Sequence, residues 1–102
     1  MTNPSTATVE KEAVIDSIKE PGLYKVVFCN DNLTPMDFVV QVLQDVFKHS
    51  KTKAEAIMLE IHNKGEGVAG IFVYEIAEQK GVETTVAARE NGYPLAIKVE
   101  PV

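Results

Sequence analysis

The 102-residue chain is 45% apolar and 25% charged, which suits one compact domain and leaves no room for two. Ten Lys and Arg stand against fifteen Asp and Glu, and the resulting formal charge of −5 repels a phosphate backbone, so nucleic acid is not an expected partner. There is no apolar run near the ~20 residues that cross a bilayer and no secretory signal pattern, and the single cysteine, Cys29, has no partner for an internal bridge; no membrane association is expected, and a reducing cytoplasm is the expected compartment.

Residues 1–22 are rich in Thr, Ser, Ala, Glu and Lys and close on Glu20-Pro21-Gly22, a helix-breaking end. A flexible N-terminal tail is expected there, followed by one folded domain over 23–102. Val9, Val14, Ile15 and Ile18 offer only two turns of amphipathic helix, which is marginal alone in water. From Tyr24 to Cys29 the chain is rich in β-branched and aromatic residues and predicts a strand, ended by the turn-forming Asn30-Asp31-Asn32.

Thr34-Pro35-Met36-Asp37 combines an N-cap threonine, a proline at the first helical position and an acid three residues after the cap. A helix is expected from there to about His49-Ser50, with Phe38, Val39, Val42, Leu43, Val46 and Phe47 as its apolar stripe. A second box, Thr52-Lys53-Ala54-Glu55, predicts another helix carrying Ala54, Ile57, Met58 and Ile61 inward until Gly65 stops it. Val68 to Tyr74 reads as a buried strand. A third helix over 75–91 is ended by Gly92, though its apolar residues spread over more than one face. Leu95, Ile97 and Val99 alternate along a closing strand. The expected fold class is α+β, a single domain in the order β-α-α-β-α-β, with three helices on a small, mostly antiparallel three-stranded sheet.

Gly65-Glu66-Gly67-Val68-Ala69-Gly70 spells a dinucleotide fingerprint, yet it follows a helix and enters a strand, the reverse of the context that cradles a pyrophosphate. These glycines are read instead as a helix cap, a turn and a close backbone contact. Cys29, inside an apolar strand without a cationic neighbour in sequence, reads as a core residue. His49, just past the first helix, reads as a surface residue. Two histidines thirteen apart and one cysteine match no zinc spacing, so no metal and no cofactor is expected.

His62 shares a helical face with Met58 and lies beside Ile61. The turn from Asn30 to Met36 places amide, carboxylate and hydroxyl groups between a strand and a helix, where binding groups often gather. If the first two helices pack, Met36, Val39 and Met58 wall a cavity with Asn30, Asp31 and His62 at its mouth. Such a site, apolar inside and acceptor-rich at the rim, suits a cationic group attached to a bulky apolar one.

Four segments in order, Tyr24 to Val40, Ala56 to His62, Glu75 to Lys80 and Ala88 to Leu95, resemble the ClpS family of adaptors for ATP-dependent Clp proteases. The resemblance implies a non-enzymatic adaptor that binds N-degron substrates, those beginning with Leu, Phe, Tyr or Trp. It implies delivery of them to the N-terminal domain of a ClpA- or ClpC-type AAA+ unfoldase, by an adaptor acting as a monomer. It places Asn30, Asp31 and His62 around the substrate's α-amino group. Thr34, Met36, Val39, Met58, Ile61 and Leu95 then line the side-chain pocket, with Met36 the gate against β-branched residues. Glu75 and Lys80 match positions facing the unfoldase, and the tail matches the extension engaged during delivery. Asn32 departs from the family's pattern, which has an acid there, and Leu33 stands where an aromatic is common. Two other readings compete. The element order also resembles the C-terminal domain of the ribosomal stalk protein, which recruits translation factors, and a small hydrolase using His62 and Asp31 would lack an activated nucleophile.

Overall fold

A computed structural model describes residues 22–102; the tail expected over 1–22 lies, except for Gly22, outside the described residues. The apolar run after Gly22 forms β1 (Leu23–Cys29), followed by α1 (Met36–Asp45), α2 (Lys51–Lys64), β2 (Glu66–Val73), α3 (Tyr74–Glu90) and β3 (Ala96–Pro101). The three strands make one sheet in the order β2-β1-β3, with both pairings antiparallel. The expected fold class and element order are those observed.

A central strand covered on both faces must be apolar on both, and Val26, Val27 and Phe28 are all 2% exposed or less. The helices cover the face carrying Val26 and Phe28, where Phe28 meets Phe47 edge-on with ring centres 5.5 Å apart. On the other face Val27 is in register with Lys98 of β3, whose ammonium reaches Glu66 of β2 at 3.0 Å and so spans the central strand.

The β1–β2 register slips between Val26 and Val27, leaving Ala69 as the extra residue of a β-bulge. Its carbonyl accepts from His49 Nε2 at 2.6 Å. His49 is therefore half-buried, not the surface residue expected, because the bulge leaves an acceptor that a polar side chain must satisfy.

Both helix starts differ from the expectation by a residue or two. Pro35, not Thr34, occupies the cap position of α1, with extended backbone angles and no side-chain cap. The Thr34 hydroxyl is turned back to donate to Asp31 Oδ2 at 2.8 Å. At α2 the cap is Ser50, whose Oγ accepts from the Lys53 amide at 3.1 Å, rather than Thr52. Helix α1 also stops at Asp45, short of His49, because Lys48 adopts a left-handed φ of 63° and the His49 amide turns back to the Leu43 carbonyl.

The diffuse pattern of α3 has a steric cause. Its buried positions are Ala77, Gly81, Thr84 and Ala88, small residues that let the helix lie close on the sheet, while Ile76, Val82 and Val86 stay exposed. The Thr84 hydroxyl donates to the Lys80 carbonyl one turn back, so the one polar side chain among them carries its own acceptor. Of the three glycines around β2, Gly65 caps α2 with φ 91° and Gly67 is buried against Ile61.

Candidate functional site

The end of β1, the loop after it, the first turns of α1, the last turns of α2 and the segment before β3 converge on one hollow. It is lined by Cys29, Asn30, Asp31, Thr34, Met36, Val39, Met58, Ile61, His62 and Leu95. All nine residues expected at the amino-binding rim and in the pocket walls are in that lining. Val39, Ile61 and Leu95 form a buried apolar floor, and Met36, 44% exposed, stands at the mouth beside the exposed Asn30 and His62.

Asp31 builds the rim before it can bind anything. Its Oδ1 accepts from the Leu33 amide at 2.8 Å and from the Thr34 amide at 2.7 Å, and Oδ2 takes the Thr34 hydroxyl. This side-chain-to-backbone turn is why the chain can leave β1 and reverse into α1 with its amides paired. Partial burial alone would raise the Asp31 pKa. The backbone bonds from Thr34 and Leu33, then the Thr34 hydroxyl and the more distant Arg89 charge, outweigh it and hold the carboxyl below its ordinary value of 3.8. Asp31 is thus anionic at neutral pH with three acceptor positions occupied, leaving about one of a carboxylate's roughly four for a ligand.

The neighbouring rim groups are less committed. Asn30 is pinned by its backbone, whose amide donates to the Gly65 carbonyl at 2.9 Å and ties the loop to the end of α2. The side chains of Asn30 and His62 make no hydrogen bond to a described residue. His62 makes no hydrogen bond to Asp31, whose oxygens accept from its own loop, so the Asp–His relay that a hydrolase would use is not formed. Among the described residues no cluster of three metal-ligating side chains occurs.

Two residues of the site escape the sequence reading. Cys29 is half-buried and lines the hollow, whereas the sequence places it in the core. Its position directly before the rim residue Asn30 is the signal that could have revealed it. Arg89, the only arginine, donates from Nη1 to the carbonyls of Tyr93 at 2.9 Å and Leu95 at 3.0 Å, bracing the segment that carries the pocket floor. No pattern of residue types announces that contact.

Away from the hollow, Glu75 is exposed on the first turn of α3. Lys80 is half-buried, with its ammonium 2.8 Å from the Val46 carbonyl and 5.5 and 5.9 Å from the ring centres of Phe72 and Phe47. A cation there neutralises the unpaired carbonyl end of α1 and lies against aromatic faces.

The family model described as ATP-dependent Clp protease adaptor protein ClpS matches residues 19–98. The chain belongs to the ClpS family. Its curated relatives include the ClpS adapter of Deinococcus radiodurans, 46% identical over 81% of this chain and 74% of that one. Another is the ClpS adapter of Myxococcus xanthus, 45% identical over 94% of this chain and 90% of that one. Among solved structures, Agrobacterium tumefaciens ClpS2 bound to L-phenylalaninamide superposes with a TM-score of 0.79, at 38% identity over 81% of this chain and all of that one. ClpS proteins are adaptors of ATP-dependent Clp proteases, and the matched span contains every residue of the hollow described above. The described part of the chain has no helix long and apolar enough to cross a membrane.

Proposed function

We propose that the hollow binds the first residue of a polypeptide, holding its free α-amino group at the rim and its bulky apolar side chain on the floor. The observation that carries this reading is the pairing of uncommitted acceptors with a buried apolar floor in one pocket. An α-ammonium has three N–H donors. Asn30 Oδ1, the remaining acceptor position of Asp31 and a ring nitrogen of His62 supply three acceptors of matching number. Burying a Leu or Phe side chain on Val39, Ile61 and Leu95 contributes about 1.5 to 3 kcal/mol, which supplies the preference for large apolar first residues. The Agrobacterium relative's ligand, phenylalaninamide, has the same chemistry, a free amine and an aromatic side chain on one carbon.

In this reading the protein performs no chemistry of its own. It acts as a monomer in the cytoplasm and hands substrates beginning with Leu, Phe, Tyr or Trp to a ClpA- or ClpC-type unfoldase. Glu75 and Lys80 contribute to the contact with the unfoldase's N-terminal domain, and the segment before residue 22 is engaged during delivery. The test is a set of labelled peptides differing only in the first residue. Those starting with Leu, Phe, Tyr or Trp bind, and those starting with Asp, Lys or Gly do not; indifference to the first residue would refute the reading.

Met36 at the mouth sets the shape of what enters. Peptides beginning with Ile or Val branch at Cβ, where the Met36 side chain leaves least room, and are excluded by contact rather than by lack of hydrophobicity. Met36→Ala is expected to admit Ile and Val while weakening Leu binding by roughly 1 kcal/mol of lost apolar contact. Fluorescence anisotropy titrations of Leu- and Ile-initiated peptides measure both effects, and unchanged discrimination would remove Met36 from the gate.

A further inference from the structure

We propose that Arg89 is a positioning residue for the first-residue pocket, setting the pocket's selectivity by fixing where Leu95 stands. The inference rests on the reading of the hollow as a first-residue site. After α3 the chain must travel from Glu90 to Ala96 in five residues and still place a leucine against the hollow. Gly92, with φ 77°, turns it back, and its amide and that of Tyr93 bond to the carbonyls of Arg89 and Ala88. The Tyr93 ring sits edge-on to Phe38 of α1, 5.0 Å between centres. Pro94 then interrupts the backbone with a residue that has no amide hydrogen to donate.

Arg89 Nη1 donates to the carbonyls of the two residues that flank Pro94 in sequence, Tyr93 and Leu95. One nitrogen thus bridges the segment just where it lacks a ladder, because β3 pairing with β1 begins only at Ala96 opposite Cys29. Leu95 is 1% exposed and lies in the lining of the hollow, so a shift of its backbone moves the pocket floor directly. Arg89 itself is not in the lining of the hollow. Its effect is therefore on which side chains are preferred, and the requirement for a free amine is left intact.

The test compares Leu- and Ala-initiated peptides, each with a free and an acetylated amine, on the full-length protein, Arg89→Met, Arg89→Gln, Leu95→Ala and the Arg89→Met/Leu95→Ala pair. Thermal melts confirm that each variant is folded at the titration temperature. Arg89→Met is expected to reduce the Leu-over-Ala affinity ratio about fivefold, the loss of part of one aliphatic contact. Arg89→Gln, which keeps an N–H donor without the charge, is expected to retain more of the ratio and serves if Arg89→Met does not fold. In the Leu95→Ala background Arg89→Met changes the ratio no further, since both act through the same wall. An unchanged ratio in Arg89→Met, or full additivity with Leu95→Ala, would overturn the proposal while leaving the first-residue reading standing. Loss of discrimination against acetylated peptide by the wild-type protein would instead overturn that reading itself.

Discussion

Asp31→Ala is expected to weaken binding of a Phe-initiated peptide by about 2 to 4 kcal/mol, roughly 30- to 900-fold, the range found when one partner of a hydrogen-bonded charge pair is truncated. Two losses combine. The substrate's ammonium loses its only anionic neighbour in the lining, and the Leu33 and Thr34 amides and the Thr34 hydroxyl lose the acceptors that shape the loop. Asp31→Asn separates them, because a carbonyl oxygen still accepts from the loop amides while the charge is gone. It is expected to fall in between, near tenfold, about the value of one charge-assisted hydrogen bond over a neutral one. Calorimetric titration at neutral pH measures both; equal affinity of Asp31→Asn and wild type would show that no charge is felt at the rim.

The same carboxylate makes a signed prediction about acid. Its pKa is lower folded than the ordinary 3.8, so its contribution to stability is fully present above that value and disappears as pH falls through the lower folded value. Wild type should therefore lose this part of its stability only below about pH 4, and the Asp31→Ala protein should lack that acid limb. Melts from neutral pH down to acid check the difference between the two proteins.

Gly67→Ala is the second large effect, and it acts on folding and binding together. A Cβ on Gly67 would lie 2.8 Å from Ile61 Cγ1, with the Ile61 amide and Ile57 carbonyl at 3.5 and 3.6 Å behind it. The clash is with a branched, buried side chain near its root, so α2 must shift from the sheet or Ile61 must be driven toward the hollow. Overpacking of this kind costs about 1 to 3 kcal/mol, and each kcal/mol lowers the melting temperature of a domain this size by roughly 4 to 8 °C. Peptide affinity is expected to fall as well, since Ile61 is part of the floor. Gly65→Ala provides the contrast. Its left-handed φ of 91° makes alanine strained, but nothing lies within 4 Å of the new Cβ, so stability falls while affinity is kept. A Gly67→Ala protein as stable as wild type would contradict the packing described.

The parts of this fold readable from sequence are those written in a periodic code. The stripe of Val39, Val42, Leu43 and Phe47 and the pattern of Ala54, Ile57 and Ile61 specify two helices and their inward faces, and those residues are buried. Where a residue's role depends on a distant partner, local pattern misleads. Thr34 has the type and spacing of an N-cap, yet Asp31 three residues earlier takes its hydroxyl and also accepts from the Thr34 and Leu33 amides. His49 looks like a helix-end surface residue because the bulge that needs it lies twenty residues away at Ala69. The pocket follows the same division. Asn30, Asp31 and His62 are visible as polar groups at element ends, and Met36, Val39 and Met58 as apolar neighbours. Arg89 is invisible, because its contact runs through backbone carbonyls that carry no sequence signature.

On the proposed function a free α-amine is read at the rim, and one pair of ligands tests this. Two Phe-initiated peptides of identical sequence, one with a free and one with an acetylated N-terminus, are titrated against the wild-type protein at neutral pH. Acetylation removes the charge and two of the three N–H donors without altering the side chain, leaving rim acceptors desolvated and unpaired at a cost of about 1 to 3 kcal/mol or more. The free peptide is expected to bind and the acetylated one to be weaker by at least about fivefold. Equal binding of the two would contradict this reading, because the hollow would then be recognising an aromatic side chain alone.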